Sequence, residues 1–354
     1  MPDAVRAPAL AASRQPFVIP MQNPTPDHIL EIGYAYWKSK ALLTAVELNL
    51  FTELAQGPLD CDELIARLGL AGRQARDFFD ALVSLALLAR DADGRYANTP
   101  ESETYLNRRS PSYLGGALAL QSVSGYRSWG ALTTALRTGL PQNTALGDGF
   151  AALYANQTAL ETFLDGMMGG IILPAKALAQ KFPWQKYQTV ADIGAAQGCC
   201  LAQVAHAHPH VTGWGFDLPP IEASFDNYIR TQRLSTRLRF RSGDFFTDAL
   251  PLADVLIMGR VLHDWDLATK KMLLRKAYAA LPTNGALIIY ETLIDDERCR
   301  QTHALLQSLN MLVMTEHGYD YTAADCIEWL KEAGFHQMTV EPLVCHHSMI
   351  VSTK

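Results

Sequence analysis

The sequence predicts an α/β protein: a C-terminal domain built on a parallel sheet covered by helices, behind a helical module in winged-helix order. Three observations carry this. From Thr189 onward, short apolar runs (TVADIG, VTGWGFD, TRLRFRSGD, ADVLIMG, GALIIYE) alternate with helical segments, the signature of βαβ units whose strands are buried on both faces. Before them, helical spacing dominates residues 23–110, with a tight turn between short strands at DADGRY. At 354 residues the chain is long enough for two domains.

In order, residues 1–22 are rich in Ala and Pro, with an apolar stretch too short and too interrupted for a signal peptide, and are expected to be a disordered tail. Residues 23–110 form the winged-helix-like module. Its first helix runs over 27–55 (Ile29, Ile32, Tyr36, Leu42, Leu43, Val46). A short amphipathic helix follows Asp60 as cap, and a further helix covers 71–90. Residues 111–180 are expected to be bridging and pocket helices, broken by the turn GLPQNTALGDG at 139–149. Residues 181–354 hold the sheet, a helix over 322–333 and two final strands, FHQMTVEP and LVCHHSMIVS, paired as a hairpin.

Bulk numbers exclude several functions. With 49% hydrophobic and 19% charged residues and a net charge of -6, the chain has no electrostatic reason to bind nucleic acid or an anionic membrane. No apolar run reaches the about 18 residues of a membrane span. Six scattered cysteines without metal spacing fit a reducing cytoplasm. Winged-helix order raises a DNA-binding regulator as an alternative. Residues 23–110 however hold 9 basic and 13 acidic side chains, and the would-be recognition helix is apolar on several faces (Phe78, Phe79, Leu82, Val83, Leu85, Leu87, Leu88). Such a module suits dimerisation better than a DNA groove.

Chemistry concentrates at the strand ends, where open α/β sheets bind ligands. ADIGAAQGCC (191–200) is a strand, a glycine turn and a helix start, suited to close backbone approach and to negative charge. The spacing of Gly194 and Gly198 fails the G-x-G-x-x-G of dinucleotide enzymes. Asp217 ends the next strand and can accept hydrogen bonds from ribose hydroxyls; Asp244 and Phe245 end the third. GRVLHDWD (259–266) follows the fourth, and its His263 titrates in a range suited to taking a proton at neutral pH.

Asp192, Gly194 and Gly198 match the D-x-G-x-G-x-G motif of class I S-adenosylmethionine-dependent methyltransferases, with Ala196 replacing the middle glycine. Together with WGALTTALRTG, FLDGMM, FDLP, GDFF and RVLHDWD in this order, the chain resembles the small-molecule O-methyltransferases of the caffeate and acetylserotonin type over nearly its whole length. The resemblance implies a Rossmann-like, seven-stranded methyltransferase domain and an N-terminal winged-helix dimerisation domain. It implies S-adenosylmethionine held by Asp192, Gly194, Gly198, Asp217, Asp244, Phe245 and Arg260, with Phe163, Met167 and Met168 lining the pocket of a homodimeric enzyme. His263 would be the base for a phenol or enol, with Asp264 beside it and Glu291 orienting the imidazole.

One stretch departs from that group. Where it carries glycine-rich sequence, this chain has Glu316-His317. Two imidazoles and a carboxylate (His263, His317, Asp264) make a ligand set for a divalent metal such as iron, or zinc, nickel or cobalt. The combination resembles the family's branch that methylates the β-carbon of α-keto acids, where a metal would stabilise the enolate. Metal-assisted C-methylation of an α-keto acid is thus the leading expectation, and O-methylation with His263 as base is the alternative.

Overall fold

The computed structural model describes residues 24–143 and 153–354. The expected tail and the 144–149 part of the predicted turn lie outside the described residues. By internal contacts the chain divides at Ser39/Lys40.

Up to Ser39 the chain is the first half of helix α1 (Asp27–Glu47). It presents Ile29, Ile32, Tyr36 and Trp37 to solvent, each more than half exposed. Tyr34 stacks on Trp37 at 4.6 Å, and Glu31 pairs with Lys38.

Beyond it, α2 (Leu50–Leu54), α3 (Cys61–Leu68) and α4 (Ala75–Ser84) enclose a core of Leu50, Phe51, Leu64, Phe79, Leu82 and Tyr96. Asp60 caps α3 in a reciprocal capping box with Glu63, as the sequence predicts. The helix expected over 71–90 is shorter. Leu88–Arg90 leaves it as β1 and pairs antiparallel with β2 (Tyr96–Asn98) around the DADGRY turn, so hairpin pairing overrides local helical spacing. Helices α5 (Pro100–Leu106), α6 (Gly115–Leu120), α7 (Tyr126–Trp129) and α8 (Leu132–Thr138) follow, then the long α9 (Gln157–Lys181).

The sheet strands are β3 (Thr189–Ile193), β4 (Thr212–Asp217), β5 (Leu238–Ser242), β6 (Val255–Gly259), β7 (Ala286–Glu291), β8 (His336–Pro342) and β9 (Ser348–Thr353). Their order is β5-β4-β3-β6-β7-β9-β8. Pairing is parallel from β5 to β7, and β9 lies antiparallel between β7 and β8. The central strands are apolar on both faces because helices cover both. Val190, Val255, Ile257 and Ile288 face one core; Ile193, Leu256, Met258 and Ile289 face the other. Between the strands run α10 (Cys199–Ala207), α11 (Glu222–Thr231), α12 (Leu267–Ala280), α13 (Thr302–Met314) and α14 (Ala323–Ala333). The final hairpin forms as expected, except that His346 and His347 sit in its turn rather than in the strand. No helix among the described residues is long and apolar enough to cross a membrane.

Candidate active site

The first strand end is a tight glycine turn. Gly194 and Gly198 have φ of 76° and 82°, and Ala196 between them is also left-handed at 47°. Ala196 therefore accepts a conformation that disfavours a Cβ, costing roughly 1–2 kcal/mol. Its backbone N–H donates to Asp217 Oδ2 at 2.9 Å, while Leu218 N–H donates to Oδ1 at 2.8 Å. Asp217 thus ties the turn to β4 and keeps oxygen lone pairs for a further donor. Burial pushes its carboxyl up to about 6, against those two N–H groups. Asp192, deeper at the end of β3, is pushed to about 8 by burial and then by the charge of Asp217.

A Cβ at Gly194 would lie 2.9 Å from Val261, and one at Gly198 would lie 2.5 Å from Phe225, so the turn has no room for side chains. This cradle, with a carboxylate at the next strand end, fits an adenosyl ligand. Beyond β5, Asp244 Oδ1 accepts from Phe246 N–H. Phe245 and Phe246 pack against Trp265 at 5.8 and 4.8 Å, so Phe246 and Trp265 join the expected Phe245 in one aromatic cluster beyond the end of β5. Arg260, also left-handed at φ 55°, carries its guanidinium over Gly170 of α9. Phe163, Met167 and Met168 are half-buried on that helix.

His263 lies in the short helical turn Leu262–Asp264 that follows β6 and is buried at 4% exposure. Its Nδ1 lies 3.3 Å from Asp320 Oδ1 and 3.5 Å from Glu291 Oε2; its backbone N–H donates to Glu291 Oε1 at 3.4 Å. Nε2 is 3.7 Å from Asp264. This geometry favours a proton on Nδ1, facing Asp320 and Glu291, with Asp264 as the carboxylate nearer Nε2. Burial alone would lower the imidazole. The negative charge of Glu291, then Asp264 and Asp320, overcomes this and raises it to about 9. Glu291 itself is pushed to about 7, chiefly by burial. Both directions mean that the cluster retains protons.

Asp320 is the functional residue that sequence reasoning missed. A parallel bridge between Ile294 and Thr322, and Ser308 Oγ accepting from Asp320 N–H, draw its loop to the end of β7. Fifty-seven residues separate it from His263, so the aromatic-Asp-Tyr-Thr stretch was its sole sequence signal.

The expected metal set does not assemble. His317 is exposed, with 61% of its side chain accessible and Glu316 3.8 Å away. Among the described residues, the group able to converge on one ion is His263, Glu291 and Asp320. Those three are buried, and both carboxylates lie on the Nδ1 side of the ring. Among the described residues, His263, His317 and Asp264 are thus not brought together as one ligand set. In the same loop it is Gly318, next to the exposed His317, that packs against the His263 backbone: a methyl there would sit 2.6 Å from His263 O.

The site can be compared with known proteins. Residues 30–108 match the O-methyltransferase dimerisation domain and residues 129–336 match the O-methyltransferase domain. The chain is 42% identical to the tetracenomycin polyketide synthesis 8-O-methyl transferase TcmO of Streptomyces glaucescens, over 88% of this chain and 91% of that one. It is 36% identical to the N,N-dimethyltransferase OxyT of Streptomyces rimosus over the same shares. The crystal structure of human N-acetylserotonin methyltransferase in complex with SAM superposes with a TM-score of 0.86 at 26% identity, covering 95% of this chain and 99% of that one. With its dimerisation module, glycine cradle and strand-end histidine in the family's order, the chain belongs to the S-adenosylmethionine-dependent O-methyltransferases and is an enzyme of that class.

Proposed function

We propose that this homodimeric enzyme transfers a methyl group from S-adenosylmethionine to a hydroxyl of a small aromatic molecule, a phenol or enol, with His263 as proton acceptor. The observation that carries the reading is the polarity of His263: its Nδ1 is held by Asp320 and Glu291, while its Nε2 is 3.7 Å from Asp264 and makes no contact with those two carboxylates. The donor supplies an electrophilic methyl on a sulfonium. Gly194, Gly198 and Asp217 would hold its amino-acid and ribose parts, Asp244 and Phe245 its adenine, with Asp192 and Arg260 near the charged end. The acceptor oxygen forms its bond to the methyl carbon as the carbon–sulfur bond breaks, and its proton goes to Nε2. Asp320 and Glu291 stabilise the imidazolium. Phe163, Met167 and Met168 offer an apolar wall for a flat ring system, in keeping with TcmO as a polyketide-pathway relative.

Acceptor chemistry differs within the family, since OxyT is an N,N-dimethyltransferase. The metal-assisted C-methylation of α-keto acids that leads the sequence reading gives way, because it needs His317 beside His263. Polycyclic phenols and arylpyruvates, incubated with the enzyme and S-adenosylmethionine with and without chelator, separate the two. The expected outcome is a methyl ether formed equally with and without chelator. It should be lost by about a hundredfold or more in His263→Ala, the usual worth of a general base. Chelator-sensitive methylation of carbon alone would overturn the proposal.

A further inference from the structure

Lys270, on the first turn of α12, is wholly buried (0% exposed). A buried ammonium ordinarily sits against a carboxylate. This one has no carboxylate within ion-pair distance among the described residues; it is held by backbone and ring faces. Its Nζ donates to Trp265 O at 2.5 Å and to Tyr319 O at 3.1 Å, and it lies 3.3 Å from the centre of the Tyr319 ring and 5.6 Å from that of Tyr321. The two carbonyls belong to the two loops that furnish the site. Trp265 follows Asp264 and His263 directly; Tyr319 precedes Asp320. Together with the direct His263 Nδ1–Asp320 Oδ1 contact and Gly318 packing on the His263 backbone, these hydrogen bonds link the two loops close to the histidine.

We infer that Lys270 is a positioning residue for methyl transfer, a buried bracket that fixes the loop of His263 and Asp264 against the loop of Asp320. A chain folding for stability alone would favour an apolar side chain here, because taking an ammonium out of water is costly and its partners are neutral. Burial lowers the ammonium, and the charges of Glu291, Asp320, Asp264 and Asp266 oppose it in part, so that it comes to about 8. The ammonium therefore does two things at one point. It fixes the spacing of the loops, and it offsets the three carboxyl groups gathered around His263.

The inference rests on the proposed role of His263, so its test has one arm with turnover and one without. Lys270→Met keeps the length of the side chain and removes charge and donors. Expected is a kcat lower by roughly ten- to hundredfold, the scale set by a misplacement of about 1 Å in a catalytic group. The KM for S-adenosylmethionine and the affinity for S-adenosylhomocysteine should stay within about threefold, and the melting temperature should not fall in step with activity. Lys270→Arg, which keeps charge and donors, should recover part of the lost kcat. In the arm without turnover, the His263 ring proton, one sharp NMR signal in the parent, should broaden or split in Lys270→Met. Its titration midpoint should move upward, because a positive charge facing Asp264, Glu291 and Asp320 has gone while Arg260 remains. An unchanged kcat with an unchanged His263 signal would overturn the inference. So would a Lys270→Met protein that is unfolded or that loses stability and cofactor binding together with activity, since that describes a structural residue. Failure of the parent enzyme to methylate any phenol would count against the function instead, and the NMR arm would still judge Lys270.

Discussion

At the scale of single residues, the site turns on how one imidazole is poised. His263 sits with three carboxyl groups and is raised to about 9. Without donor, its proton is therefore mostly in place at neutral pH, and its capacity as a base grows as pH rises toward that value. A bound sulfonium adds a positive charge at the strand ends, which disfavours imidazolium and lowers the midpoint. S-adenosylhomocysteine lacks that charge. NMR titration of His263 should accordingly give a midpoint well above the ordinary ~6.5 in the free enzyme. S-adenosylmethionine should lower it clearly and S-adenosylhomocysteine less. Equal midpoints with both ligands would mean that the sulfonium does not sit near the imidazole. The same field explains Asp320: remove its carboxylate and Nδ1 loses its nearest anchor.

At the scale of elements, two loops after strand ends do most of the assembly, and the smallest residue between them sets their distance. Gly318 rests on the His263 carbonyl, and an added methyl would lie 2.6 Å from that oxygen and 2.4 Å from Thr315 Oγ1. Gly318→Ala should therefore displace the His263 turn or the 315–322 loop. The expected result is a protein destabilised by about 1–3 kcal/mol, the cost of overpacking, with activity falling further than stability predicts. Denaturant unfolding alongside steady-state kinetics checks both. The elements differ in how openly the sequence displays them. Strands β3, β6 and β7 are legible as unbroken apolar runs because helices cover both faces, and Asp60 announces α3 through its capping box. The end of α4 is not legible, because Leu88–Arg90 become a strand only through pairing with Tyr96–Asn98, a contact that helical spacing does not encode. His263, Glu291 and Asp217 are readable because each ends a strand. Asp320 and Lys270 are not: one arrives through a distant bridge to Ile294, and the other reads as an ordinary surface lysine in an amphipathic helix. The Glu316-His317 departure points to the loop that carries Asp320, while His317 itself lies exposed.

At the scale of the whole molecule, the exposed apolar and aromatic side chains on the first half of α1 are too many for a surface meant to stay wet. With the dimerisation domain matched over residues 30–108, they are expected to be covered by a second copy. Light scattering should return about twice 39.0 kDa. Replacing Ile29, Ile32 and Trp37 with polar residues should yield monomer, and no salt-sensitive DNA complex should form, given the acidic module. The sheet carries a further consequence for how this molecule comes into being. Strand β9 lies between β7 and β8, so β7, which bears Glu291, gains its second neighbour from residues 348–353 alone. During synthesis, a nascent chain that has already made the glycine cradle, the histidine turn and the Asp320 loop still presents the bare edge of β7, with Leu287, Ile288 and Ile289, to whatever is nearby. The pairing of residues 348–353 with β7, and not the completion of the cofactor half, is what seals that edge on the strand whose last residue is Glu291.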